Sequence, residues 1–129
     1  MLSFNEEFVR GMHDMYVKAD KLFNGEIKNY DMLVLPGGRP GGQNLLENQD
    51  VISLVQYFNE HHQYIAAMCS GTVVLEKANV IKGKKVTGYT GYQDKLVSGD
   101  FVNEVAVFDQ NIVTSQGPAT PYPFAFKIL

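Results

Sequence analysis

Two short apolar runs, Met32–Leu35 ("MLVL") and Ile65–Met68 ("IAAM"), each stop at a turn of small residues, "PGGRPGG" after the first and "CSG" after the second. A short continuous apolar run bounded by glycine reads as a strand buried on both faces. Strands of that kind belong to parallel sheets, whose crossover connections place helices on both faces. The intervening stretch fits, because Val51, Ile52, Leu54, Val55 and Phe58 recur at helical spacing and Asn48 or Asp50 can cap the start. That helix ends near "NEHHQ", and a second one opening at Gly71 buries Val74, Leu75 and Ala78 before "IKGKK". The alternation predicts an α/β chain with a largely parallel sheet covered on both faces, and ligands beyond the carboxyl ends of the strands.

Farther along, "KVTGY" reads as another strand, and "VAVF" and "IVTS" on either side of "DQN" read as a hairpin. Thr120 can cap a last helix with Pro121 at its first position, where the missing N–H costs nothing. Lys82, Lys84 and Lys85 read as a solvated turn.

With 129 residues, of which 45% are hydrophobic and 19% charged, the expectation is one domain over residues 1–129 with a real core. A net charge of −3 and no long basic stretch argue against nucleic acid, which needs clustered cations for its phosphates. No apolar run approaches the roughly 20 residues that span a bilayer, and "MLSFNEEFVRG" lacks a signal-peptide pattern, so no membrane association and a cytoplasmic location are expected. A single cysteine forms no internal disulfide, in keeping with a reducing compartment. That cysteine and three histidines show no metal-ligand spacing, and "PGGRPGG" lacks the Gly-Lys-Ser/Thr ending of a phosphate loop, so neither metal nor cofactor is expected.

The lone cysteine, Cys69, falls on the bend between the strand Ile65–Met68 and the helix after Gly71. A thiol there is pushed out at the strand's carboxyl end and feels the positive end of the helix, which favours thiolate. The arrangement is the thiol form of the nucleophile elbow. "PGGRPGG" follows a parallel strand at the same rim, so the backbone N–H groups of Gly37 and Gly38, with that of Ser70, can hold a developing oxyanion. Position alone leaves two readings open, a small core residue and a reactive thiol.

From Tyr30 to the last residue the blocks "YDMLVLPGG", "QNLLENQDV", "IAAMCSG", "KVTGY" and "IVTSQGPAT" resemble, in this order, the ThiJ/PfpI family of the class I glutamine amidotransferase-like superfamily, in its deglycase branch. The resemblance implies a flavodoxin-like three-layer sandwich, a nucleophilic and oxidisable Cys69, backbone donors at Gly38 and Ser70, and a homodimer. The family's proteases place a histidine directly after the cysteine, where this chain has Ser70. The deglycase branch has its histidine in the block "KVTGY", where this chain has Tyr89. His61 and His62 precede the cysteine strand and belong at the opposite end of the sheet, well over 10 Å away at about 3.3 Å per strand residue. His13 reads as a surface residue, so no Cys–His pair is available.

The family also begins with a strand and helix whose loop carries a glutamate toward the cysteine, and that strand is expected beside the cysteine strand. Nothing in this chain supplies it, since Glu6 and Glu7 follow no apolar strand and read as a solvated turn. The tail stops at "FAFKIL", inside what the family makes a longer helix. The chain is therefore expected to be an incomplete sandwich. Two functions fit. In one, thiolate Cys69 attacks a 2-oxoaldehyde or a glycated thiol or amine, Gly38 and Ser70 hold the oxyanion, and Tyr89, with a reference pKa near 10, is a weak proton shuttle. In the other, Cys69 is a non-catalytic redox sensor oxidised to sulfenate or sulfinate under stress.

Overall fold

The computed structural model describes residues 1–4, 6–24 and 27–129, with Lys28 as backbone alone. At its centre is a four-stranded sheet of order β5-β6-β10-β9. Here β5 is Met32–Leu35, β6 is Tyr64–Met68, β9 is Ala106–Asp109 and β10 is Ile112–Ser115. β5 and β10 both run parallel to β6, while β9 runs antiparallel to β10, with Ile112 opposite Asp109. The two expected buried strands and the expected hairpin are thus all present.

Three helices cover one face: α1 (Gly41–Glu47), α2 (Gln49–Glu60) and α3 (Thr72–Lys77). Their apolar stripes, with Val55, Phe58, Val74 and Leu75 fully buried, close on Leu35, Ile65, Ala67 and Ile112 of the sheet. Asn48 is the cap of α2, its side chain accepting the N–H groups of Asp50 and Val51 at 2.9 and 3.3 Å. The same residue ends α1, a helix that the sequence hides because it starts on two glycines of "PGGRPGG".

Coverage of the other face is partial, in keeping with the incomplete sandwich expected from the resemblance. There α4 (Pro121–Ile128) seats Phe124 on Ala66 and Val113. Val34, Tyr64 and Phe108 on that face are 49%, 47% and 50% exposed. Position corrects the expectation about a further strand, since β6 already has β5 on one edge and β10 on the other. Among the described residues β5 and β9 are the two edge strands of this sheet, and an apolar cavity of about 590 Å³ runs along the β5 edge between Leu33, Leu35, Phe4, Phe23 and Leu54.

Ahead of the sheet, β1 (Leu2–Ser3) pairs parallel with β4 (Lys21–Leu22), and β2 (Phe8–Arg10) forms a hairpin with β3 (Tyr16–Lys18). Every residue of that hairpin is exposed, His13 included, and Glu7 meets Lys18 at 2.7 Å. After α3, β7 (Lys85–Val86) pairs parallel with β8 (Asp100–Phe101). The expected strand "KVTGY" is cut to two residues, because the Thr87 N–H goes to the Thr114 hydroxyl at 2.9 Å instead of to a ladder.

Lys84 corrects the reading of a solvated turn. Its side chain is buried, and its ammonium donates to Asn59 Oδ1 and Asn111 Oδ1, both at 3.0 Å. Burial lowers its pKa, opposed by the attraction of Asp109. Among the described residues no helix is long and apolar enough to cross a membrane.

Candidate active site

β6 delivers Cys69 at its carboxyl end, and the chain then passes through a 3-10 turn, Cys69–Gly71, into α3. Cys69 has φ of 56°. A non-glycine residue in the left-handed region costs about 1–3 kcal/mol and persists only where its surroundings hold it. Thr72 supplies one such hold, its fully buried hydroxyl donating to the Cys69 carbonyl at 2.7 Å. Two glycines supply another. A β-carbon on Gly37 would lie 2.7 Å from Cys69 Cβ, and one on Gly117 would lie 2.9 Å from it. The thiol itself is half-buried and unpaired.

Gly37 lies against Cys69 and the Ser70 N–H, and Gly38 stands beside Ser70. The Gly38 carbonyl accepts the Ser70 hydroxyl at 3.3 Å and the Gly42 N–H at 2.8 Å, and Gly38 itself has φ of 100°. Cys69, Ser70 and Gly38 are therefore brought together. Tyr89 follows a different path: it lies beyond β7 in a turn, 41% exposed, with its ring edge-on to Tyr92 at 5.5 Å. Its link to the elbow is through Gly88, where a β-carbon would stand 2.8 Å from Thr72 Oγ1. His61 caps the far end of α2 and stacks on Tyr57 at 3.9 Å, so the histidine pair does lie at the opposite end of β6.

The block "IVTSQGPAT" contributes more than the sequence showed. Thr120 sits at the start of α4 with Pro121 after it, yet its hydroxyl makes no capping bond to the helix. It accepts the Gly117 N–H at 2.5 Å and meets Ser115 Oγ at 2.7 Å, while Ser115 Oγ also donates to the Val105 carbonyl at 2.8 Å. This buried hydroxyl chain holds Gly117 against Cys69. Gly117 and Thr72 go unassigned in the sequence, and Thr120 is assigned only as a helix cap.

The DJ-1/PfpI family pattern matches residues 1–129. The chain belongs to the DJ-1/PfpI family. It is 37% identical over 103 residues to the Parkinson disease protein 7 homolog of Danio rerio, covering 78% of this chain and 54% of that protein. To a deglycase of Pyrococcus horikoshii it is 32% identical over 123 residues, covering 93% of this chain and 74% of the relative. The crystal structure of Drosophila melanogaster DJ-1beta superposes with a TM-score of 0.88 at 33% identity, over 95% of this chain and 67% of that one. The DJ-1 fold thus accounts for the α/β architecture, and the chain spans about half the length of the Danio rerio relative.

Proposed function

We propose that this DJ-1/PfpI protein carries a nucleophilic cysteine at Cys69 and acts on 2-oxoaldehydes or their adducts with thiols and amines. The observation that carries the reading is the strained, half-buried Cys69 held between Gly37 and Gly117 at the carboxyl end of a parallel strand. It is supported by a relative at 30% identity, over 79% of this chain, whose name is glutathione-independent glyoxalase DJ-1 of Schizosaccharomyces pombe.

In the proposed reaction the Cys69 thiolate forms a C–S bond to the aldehyde carbon, and the carbonyl π pair moves to oxygen, where the Gly38 and Ser70 N–H groups stabilise it. A proton then leaves C1 and another is delivered to C2, so C1 is oxidised as C2 is reduced, and water releases the 2-hydroxy acid. Tyr89 is assigned the proton transfer in this scheme. With a reference pKa near 10 it is a weak base at neutral pH, and slow turnover follows.

The second reading, Cys69 as a redox sensor, is favoured by the placement of the described histidines, His61 and His62 at the opposite end of β6 and His13 in the exposed hairpin. A homodimer is part of the proposal: the β2–β3 hairpin exposes Phe8, Val9, Tyr16 and Val17, and a lone two-stranded hairpin is marginal in water. The lone thiol suits a reducing compartment such as the cytoplasm.

Methylglyoxal turnover in the chain and in Cys69→Ala tests the enzymatic reading. Loss of turnover in the variant supports it. Equal turnover in both, or none in either while peroxide oxidises Cys69 selectively, removes it, and the latter result leaves the sensor.

A further inference from the structure

A second cavity, of about 400 Å³, is lined by Thr90, Gly91, Gln93, Phe101, Asn103 and Gln116. Two of its lining residues are chain neighbours of residues already considered for the Cys69 site. Gln116 precedes Gly117, which touches Cys69, and Thr90 follows Tyr89, each step being about 3.8 Å along the chain. Its lining has a distinct chemistry. Gln116 Nε2 donates to Asn103 Oδ1 at 3.0 Å, which leaves Gln116 Oε1 as an acceptor and Asn103 Nδ2 as a donor. The Gln93 amide adds both a donor and an acceptor, Thr90 adds a hydroxyl, and the half-buried Phe101 ring supplies an apolar wall.

No ionisable side chain lines this space. Lys95, two residues after Gln93, has its ammonium 4.4 Å from the centre of the Tyr92 ring. Anions therefore find no cation there, and a purely apolar ligand would strip water from several amides without replacing their hydrogen bonds. A hydroxyl group both donates and accepts, as the mixed lining requires, and the C–H edges of a polyol can lie on Phe101.

We propose that this cavity is a subsite for the neutral, polyhydroxylated tail of a carbonyl substrate, so that the protein prefers sugar-derived 2-oxoaldehydes or adducts to methylglyoxal. As a substrate preference it rests on the function proposed above; as a binding site it does not. The direct test uses the full chain carrying Cys69→Ala and xylitol, a neutral polyol without a carbonyl, followed by amide NMR. Saturable shifts at Thr90, Gly91, Asn103 and Gln116 in the millimolar range are expected, weakened about tenfold in Gln116→Leu or in Gln93→Leu. No saturable shift at these residues, unchanged affinity in both variants, or xylonate binding as tightly as xylitol would overturn the subsite. In the chain with Cys69 intact, the kcat/KM ratio of a 2-oxoaldehyde with a hydroxylated tail over methylglyoxal should fall about tenfold in Gln116→Leu, and an unchanged ratio overturns the preference. If neither aldehyde is turned over, the reaction fails while the xylitol titration still decides the site.

Discussion

Gly117 lies so close to Cys69 that a β-carbon on the glycine would stand 2.9 Å from the cysteine's own, and Gly117 holds that place with φ of 53°. Gly117→Ala therefore meets both a clash and backbone strain of about 1–3 kcal/mol. The variant should unfold at lower urea by that amount and should alkylate more slowly or less uniformly at Cys69. Urea melts and iodoacetamide kinetics measure the two effects. A variant as stable as the native chain would mean that the loop retreats from the thiol at no cost.

Thr120 keeps Gly117 in place by accepting its N–H, so its hydroxyl matters more than its position at a helix start. Thr120→Val should cost about 1–3 kcal/mol, because the Gly117 N–H loses its buried acceptor and Ser115 Oγ a partner. Thr120→Ser should recover most of the loss. If Val and Ser variants melt together, methyl packing rather than the hydroxyl carries the contact.

The resemblance to the deglycase branch implies a histidine at the position of Tyr89. Tyr89→His should raise aldehyde turnover or leave it unchanged, since a well-placed acid–base group contributes about 10²–10⁴-fold and tyrosine is poorly matched to neutral pH. Steady-state kinetics near pH 7 decides the matter. Collapse of activity in Tyr89→His would make the tyrosine itself the shuttle.

Lys84 couples stability to alkaline pH. Its folded pKa is lowered by burial, so the unfolded chain binds more protons than the folded one between the lowered value and the ordinary 10.5. Stability contributed through this group therefore increases as pH rises through that window, and at neutral pH burial of the charge is a cost. The stability of the native chain relative to Lys84→Gln should grow from pH 8 toward 10.5, as followed by urea melts. A difference independent of pH would contradict the lowered pKa.

The free edge of β5 bears on association. Val34 is half exposed on a strand whose second edge carries no partner among the described residues, and such an edge pairs with other chains. The 129-residue chain alone should self-associate, and Val34→Lys should reduce that association in sedimentation velocity. A monodisperse, cooperatively melting monomer would show that the edge is protected.

What local sequence determined was local in cause. The apolar runs of β5 and β6, the hairpin around Gln110 and Asn111, the Asn48 cap and the bend at Cys69 all depend on side-chain period and turn chemistry within a few residues, and those are visible in one dimension. Tertiary structure alone decided the rest. Lys84 reads as a surface lysine until Asn59 and Asn111, 25 and 27 positions away, bring it oxygen acceptors. The strand expected through Tyr89 stops at Val86 because the next N–H finds a hydroxyl on β10. Gly117 becomes part of the cysteine site because parallel pairing of β10 with β6 sets Ser115 opposite Met68, so both chains leave the sheet at the same height. Contacts between segments far apart in sequence have no local signature, and the surroundings of Cys69 consist largely of such contacts.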